Sequence, residues 1–447
     1  MKNAFRKLTF SVLAVVMLLS LVACSNTSST GASTSDEQAT AATTSDSSDG
    51  ITLYYSSYKS EWDETFQKVF NQFMEDHPEV TAIETEYMSS GDYWGDLNTK
   101  LASGTLPNIG FIRLGALVET WQDHLVAIND TDVQSTHDEM YWEDMCIGDN
   151  CYGCIFNYEY AGILYDMEYL EQVGYTEDMI PRTVSEFVTL CDKLDAAGLL
   201  KVVSAWGPGN DFCWYGHLGS IPFVLSGDAK NYYETISTPG YDLVNDEYWN
   251  KYFDFIDLMD TYNQDDPLSL DVSPCRMNEY NDEYAIVMIE GSWLDSQAAS
   301  VDPTWPEHMI LGPFLVSDDT SENYMAMHPV SLCVYEGHEG CDSQTTELAK
   351  ELYEYLYCDP DVQELFASEL GIVRTHSGLE YSEDNLGPLA YKAWCYQNNG
   401  GAVGMNCFWP VDEVKADWVA LTQKYIAGEA TREETLAALG TLFQSVS

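Results

Sequence analysis

The segment Trp206-Gly-Pro-Gly-Asn210-Asp211-Phe-Cys-Trp214-Tyr215 gathers two indoles, an amide, a carboxylate and a phenol into one short stretch. Glycine and proline keep such a stretch open, so its rings and polar groups either face a ligand or fold back into a core. Flat rings offer apolar faces and planar groups offer directed hydrogen bonds, which is the chemistry of recognition. The sequence contains no Gly-x-Ser-x-Gly elbow, no His-Glu-x-x-His and no Gly-Lys-Ser/Thr phosphate loop. A carboxylate pair of the kind that cleaves glycosides cannot be singled out, because 73 Asp and Glu make accidental pairs inevitable. Cys146, Cys151 and Cys154 form the tightest cysteine group. No second Cys-x-x-Cys completes a zinc set, and the spacing leaves open a disulfide, reduced packing thiols or a metal. No cofactor or metal is expected.

The charge balance narrows the partners. Nineteen Lys and Arg face 73 Asp and Glu, a formal net charge of −54. Such a chain repels nucleic acid and anionic lipid, so phosphate-backbone binding is excluded. A neutral or cationic ligand is expected, with Arg113 and Arg374 as possible local exceptions. Twelve Trp and 30 Tyr supply more rings than cores need, leaving some to line a cleft.

The elements that must position these groups are α/β in pattern. Ile51–Tyr55 reads as a strand. A helix near Glu61–Asp76 carries Trp62, Phe66, Val69, Phe70 and Phe73 on one face, and Pro78 ends it. Val80–Tyr87 is a second strand, Asp92–Ser103 a second helix and Asn108–Ile112 a third strand, giving βα units and a largely parallel sheet. Tyr152–Tyr165 reads as strand and extended crossover. Thr183-x-x-Glu186 is a capping box that opens a helix. Val202–Ala205 and Tyr284–Ile289 are strands, and a helix runs through Leu348, Leu352, Tyr355 and Leu356. Late helices follow at Val411–Ala427 and after Thr431-x-x-Glu434. Nearly 400 residues are too many for one core and suit two lobes.

The N-terminus adds a location. Lys2, Arg6 and Lys7 precede an apolar run from Leu8 to Val22, too short to span a bilayer comfortably and laid out as an export signal. Its ending, Leu21-Val22-Ala23-Cys24, resembles the lipobox of bacterial lipoproteins. That resemblance implies removal of residues 1–23, lipidation of Cys24, and residence on the extracellular face of the bacterial cell membrane. Residues 24–50 hold Ser, Thr, Ala, Gly and acids and cannot offset their ordering entropy by burial. They read as a disordered tether with a reach of roughly 25–30 Å.

The order of motifs in the body resembles the extracellular solute-binding proteins of ABC transporters, in the carbohydrate-binding group that includes maltose-binding protein. The likeness runs from about Ile51 to Phe443. It rests on Phe73-Met-Glu-Asp-His-Pro78, on Leu101-Ala-Ser-Gly104 with Pro107, and on Gly162-Ile-Leu-Tyr165-Asp166. Pro181-Arg-Thr183 with Glu186-Phe187, Ala285–Ile289 with Gly291-Ser-Trp293, and Met405–Trp409 continue it. Asn108 stands where the family carries Asp. The resemblance implies a two-lobed, periplasmic-binding-protein-like α/β fold of type II. A ligand cleft would lie between lobes that the chain crosses more than once, near Phe156, Tyr284 and Val334. Lobe 1 would hold residues 51–156 and 284–334, and lobe 2 residues 157–283 and 335–447. It also implies a monomer that binds a small-molecule solute, a sugar, and hands it to the transmembrane permease without catalysing anything. A membrane-anchored glycoside hydrolase and a surface adhesin are the alternatives.

Parallel α/β lobes place binding groups beyond the carboxyl ends of strands. Those loops nominate Tyr58, Arg113, Tyr158 and Glu159, together with Trp206, Asp211 and Trp214. Trp293 and Trp409 match family positions where an indole stacks on sugar. Core packing is the rival reading for each Trp, and a surface salt bridge is the rival for Arg113.

Overall fold

A computed structural model describes residues 50–445 apart from 89, 114–115, 208–216, 264–265, 299–300 and 406–413. The signal segment, Cys24 and the tether lie outside the described residues, as do Asp211, Trp214 and Trp409. Twelve strands are described: β1 Ile51–Ser57, β2 Val80–Tyr87, β3 Ile109–Ile112, β4 Cys146–Ile147, β5 Asn150–Cys151, β6 Gly153–Asp166, β7 Val202–Val203, β8 Ile286–Gly291, β9 Met309–Gly312, β10 Met325–Val334, β11 Val373–Arg374 and β12 Val403–Met405. Ten of them form one sheet ordered β2-β1-β3-β10-β6-β8-β7, with β9 and β11 also on β6 and β12 on β10. The expected parallel units are present in β2-β1-β3 and in β7-β8. The sheet as a whole is mixed, because β10 runs antiparallel to both β3 and β6, and β6 runs antiparallel to β8 and β9.

Local chemistry accounts for the helices. In Asp63–Asp76 the aromatic face is buried, and the preceding turn Ser60–Trp62 is a 3₁₀ helix. Thr183 caps Val184–Ala196 by accepting from Glu186 N, while Glu186 accepts from Arg182 N. Asp359-Pro360 separates Ser343–Cys358 from Pro360–Leu370, with Asp359 capping and proline at the first turn of the second helix. Among the described residues no helix is long and apolar enough to cross a membrane.

The buried side chains form two cores. One holds Leu53 to Phe156, Val330 to Tyr335 and Leu348 to Ile372; the other holds Tyr158 to Met327 and Val373 to Phe443. The chain therefore passes between cores three times: within β6 at Asn157, within β10 at His328-Pro329, and between Ile372 and Val373. The sequence places its crossings near Phe156, Tyr284 and Val334. Residues 284–327 belong with the second core because β8 pairs with Ala161–Tyr165, the half of β6 that lies there. The helices Ser343–Cys358 and Pro360–Leu370 belong with the first core. Phe366 packs on Phe66 and Phe156, and Tyr357 donates to Cys154 O at 2.6 Å.

Cys146 and Cys151 form a disulfide that closes the β4–β5 hairpin. Cys154 is a buried free thiol whose pKa burial pushes up.

Candidate ligand site at the strand passages

The loop leaving β1 delivers Tyr58 and Lys59 to the passages. Lys59 is buried, and its ammonium donates to both carboxylate oxygens of Glu159 at 2.8 and 2.9 Å. Glu61 stands 3.8 Å from the same ammonium. Burial alone pulls the Lys59 pKa down, but Glu159 and then Glu61 hold it above the ordinary lysine range, so the ammonium stays charged at neutral pH.

Glu159 lies directly opposite His328 in the β6–β10 register, so the two side chains leave the same face of the sheet. The His328 ring meets His217 edge-on at 5.3 Å, and His217 stacks on Trp293 at 5.0 Å. Trp293 Nε1 donates to Glu290 Oε2 at 2.8 Å. Arg276 grips the same carboxylate through Nε at 2.8 Å and Nη2 at 3.2 Å, and donates through Nη1 to Gln297. One connected line of rings and charges thus runs from Lys59 beside the first core to Arg276 beside the second.

Burial pushes the His217 pKa down to about 3, with Arg276 and Lys59 adding to the effect. Burial, and after it His217, Lys59 and Arg113, push the His328 pKa well below the ordinary histidine range. Both imidazoles are neutral, and the cations of the site are Lys59, Arg113 and Arg276. Behind Glu290, burial and then the Glu290 charge raise the Glu279 carboxyl well above the usual carboxylate range.

Four of the residues nominated by sequence come together here. Tyr58 packs against Tyr93, Trp94 and Phe111, next to Lys59. The Arg113 guanidinium lies 4.3 Å from the Trp94 ring centroid, on the side of the site that β3 supplies. Glu159 and Trp293 are placed as described. Trp293 requires Gly291 beneath it, because a Cβ there would meet the indole at 2.2 Å.

Two nominated residues are elsewhere. Tyr158 precedes Glu159 in β6, so strand alternation sends it to the opposite face. There it stacks on Tyr141 and meets Tyr160 edge-on. Trp206 is 1 % exposed and belongs to the second core, held by Trp206 N donating to Pro267 O at 2.8 Å. Sequence reasoning passed over Lys59, His217, His328, Glu290 and Arg276. Lys59 carried a usable signal: it is one of only 19 Lys and Arg, and it sits at the carboxyl end of the first strand. The two histidines carried none.

Residues 68–300 match the family model of the bacterial extracellular solute-binding proteins. The chain belongs to that family. No curated sequence matches it. Solved solute-binding proteins share its fold at low identity. A family 1 extracellular solute-binding protein from Bifidobacterium longum subsp. infantis aligns with a TM-score of 0.63 at 17% identity, covering 89% of this chain and 99% of that one. RafE in complex with raffinose aligns with a TM-score of 0.70 at 16% identity, covering 88% and 99%. An ABC transporter solute-binding protein from Thermotoga lettingae bound to α-D-tagatose gives 0.69 at 18% identity, covering 89% and 99%. The extracellular solute-binding fold, mixed α/β around a central sheet, is therefore the fold of this chain.

Proposed function

We propose that this protein is the sugar-binding component of an ABC importer and that its ligand sits over the Lys59–Glu159 pair. The observation that carries the reading is the junction itself. Lys59, Tyr58 and Arg113 come from one core, His217, Trp293 and Arg276 from the other, and Glu159 and His328 from the two long strands between. A sugar presents hydroxyls to such planar polar groups and C–H faces to such rings. A micromolar ligand needs about 8 kcal/mol, which a disaccharide of roughly two dozen heavy atoms reaches at ~0.3 kcal/mol per atom. Three extended passages suit a hinge, since a few residues can absorb rotation while each core stays packed.

A titration series with raffinose, chitin oligosaccharides, tagatose and simple disaccharides tests this. At least one sugar is expected to bind saturably, raise the melting temperature by mass action and shrink the radius of gyration. Turnover of a bound sugar, or saturable binding with no change in scattering or melting, would overturn the clamp reading in favour of a hydrolase or an adhesin.

The same proposal holds the protein at the outer face of the membrane through a lipid on Cys24. Cys24→Ala is expected to abolish lipid labelling and release the chain from the membrane fraction. Labelling that survives the substitution removes the anchor.

A further inference from the structure

Asp166, Asp282 and His308 meet at the far end of β6, about 23 Å along the strand from Glu159 at the usual rise per residue. One ligand atom from each lies within 4.8 Å of the others. Asp166 is the last residue of β6 and caps the helix Met167–Gln172, its Oδ1 accepting from Glu168 N at 2.8 Å. That leaves Oδ2, which is buried with no hydrogen-bond partner, in a residue that is 1 % exposed. A buried carboxylate oxygen without a donor is costly to keep and calls for a positive partner.

Asp282 faces Asp166 from the turn that leads into β8. Its φ of +55° is the single non-glycine value in the left-handed region among the described residues. The turn is pinned there from both sides: Asp282 N donates to Glu279 O at 2.9 Å, and Tyr169 Oη donates to Asp282 O at 2.8 Å. His308 ends the 3₁₀ helix before β9, with Nε2 3.2 Å from Asp282 Oδ1. Three separate segments of the second core thus present two carboxylates and an imidazole to one point, and a strained backbone angle is maintained at one of them.

We propose that Asp166, Asp282 and His308 bind a divalent transition metal, zinc or a metal of similar preference, as a structural staple of the second core. Two carboxylates and a neutral imidazole carry a charge of −2, which one divalent ion neutralises. The imidazole favours zinc or its neighbours over calcium and magnesium, which take oxygen sets. Three protein ligands leave the fourth tetrahedral position to water. The ion would tie the end of β6 to the turn before β8 and to the start of β9, all of which pair at that edge of the sheet.

The test uses the mature full chain stripped with a chelator and titrated with Zn²⁺ alone in 0.5 M salt, which screens the diffuse attraction of a highly acidic surface. One equivalent per chain is expected to bind and to raise the melting temperature. In parallel, Co²⁺ is expected to give the visible absorption of a low-coordinate site. His308→Gln and Asp282→Asn, both at partly exposed positions, are each expected to weaken this binding at least tenfold. The metal-free melting temperature and sugar binding should stay near the parent values. Binding of one equivalent that neither substitution alters, a preference for Ca²⁺ over Zn²⁺, or only weak binding of many ions would each overturn the proposal.

Discussion

Lys59→Met is expected to lower stability by about 3–5 kcal/mol and to abolish measurable sugar binding. Removing one partner of a buried ion pair leaves the other charge uncompensated, and among the described residues no other cation pairs with Glu159. The stability loss alone says nothing of ligand. The double variant Lys59→Met/Glu159→Gln separates the two effects, because it removes the orphaned charge as well as the ammonium. Its melting temperature is expected to recover most of the loss, while binding stays absent if the pair touches ligand. Chemical unfolding without ligand, followed by titration of each folded variant with the best sugar, reads both quantities. A double variant that is stable and binds like the parent would make the pair purely structural and would remove the proposed site.

The physical reason to place ligand there is the cross-strand geometry rather than the ion pair by itself. Glu159 and His328 are opposite one another on two strands that each belong to both cores. Any rotation of one core against the other must bend those strands near these residues. A ligand bridging Lys59 on one side and Trp293 or Arg276 on the other therefore makes contacts that depend on the hinge angle, which is what couples binding to closure.

Much of the frame was legible in the sequence. The aromatic face of Asp63–Asp76, the capping box at Thr183 and the strand Val80–Tyr87 follow from period, caps and prolines, all local signals. What failed was non-local. The swap of residues 284–327 and 343–372 between cores depends on which half of β6 each segment meets, and β6 is buried along its whole length. Side-chain facing failed in the same way. Tyr158 and Glu159 are adjacent and both chemically plausible, yet only pairing with β10 tells which of them shares a face with His328. Trp206 is buried beside the turn at Pro267, some sixty positions later, which no local signal announces. His217 and His328 meet only through tertiary structure, so neither had a neighbour in sequence to betray it.

Arg374 was a candidate for attracting an anionic ligand, and the structure gives it a different task. Its guanidinium is buried, 3.3 Å from the Phe156 ring centroid, and burial pulls its pKa down to about 10. No carboxylate bonds it in the described structure. Instead it donates to Phe156 O at 2.6 Å, to Leu356 O at 3.2 Å and to Gln363 Oε1 at 2.8 and 3.0 Å. Phe156 stands one residue before the first passage and Arg374 two after the last, so this fork binds two of the three passages to each other and to the helices behind them. Arg374→Met keeps the apolar stem but takes the guanidinium donors from Phe156 O and Gln363 Oε1, while Leu356 O keeps Gln363 Nε2. It is expected to cost about 3 kcal/mol or more, from several lost charge-assisted bonds and the desolvated carbonyls left behind. Arg374→Lys keeps the charge and loses the planar fork, since one ammonium cannot reach all three acceptors; it is expected to recover less than half of that loss. Denaturant unfolding of the two variants checks both numbers. Full recovery by lysine would mean that charge alone matters at this position. A methionine variant as stable as the parent would mean that the passages are held together by the sheet pairing of β6, β10 and β11 alone.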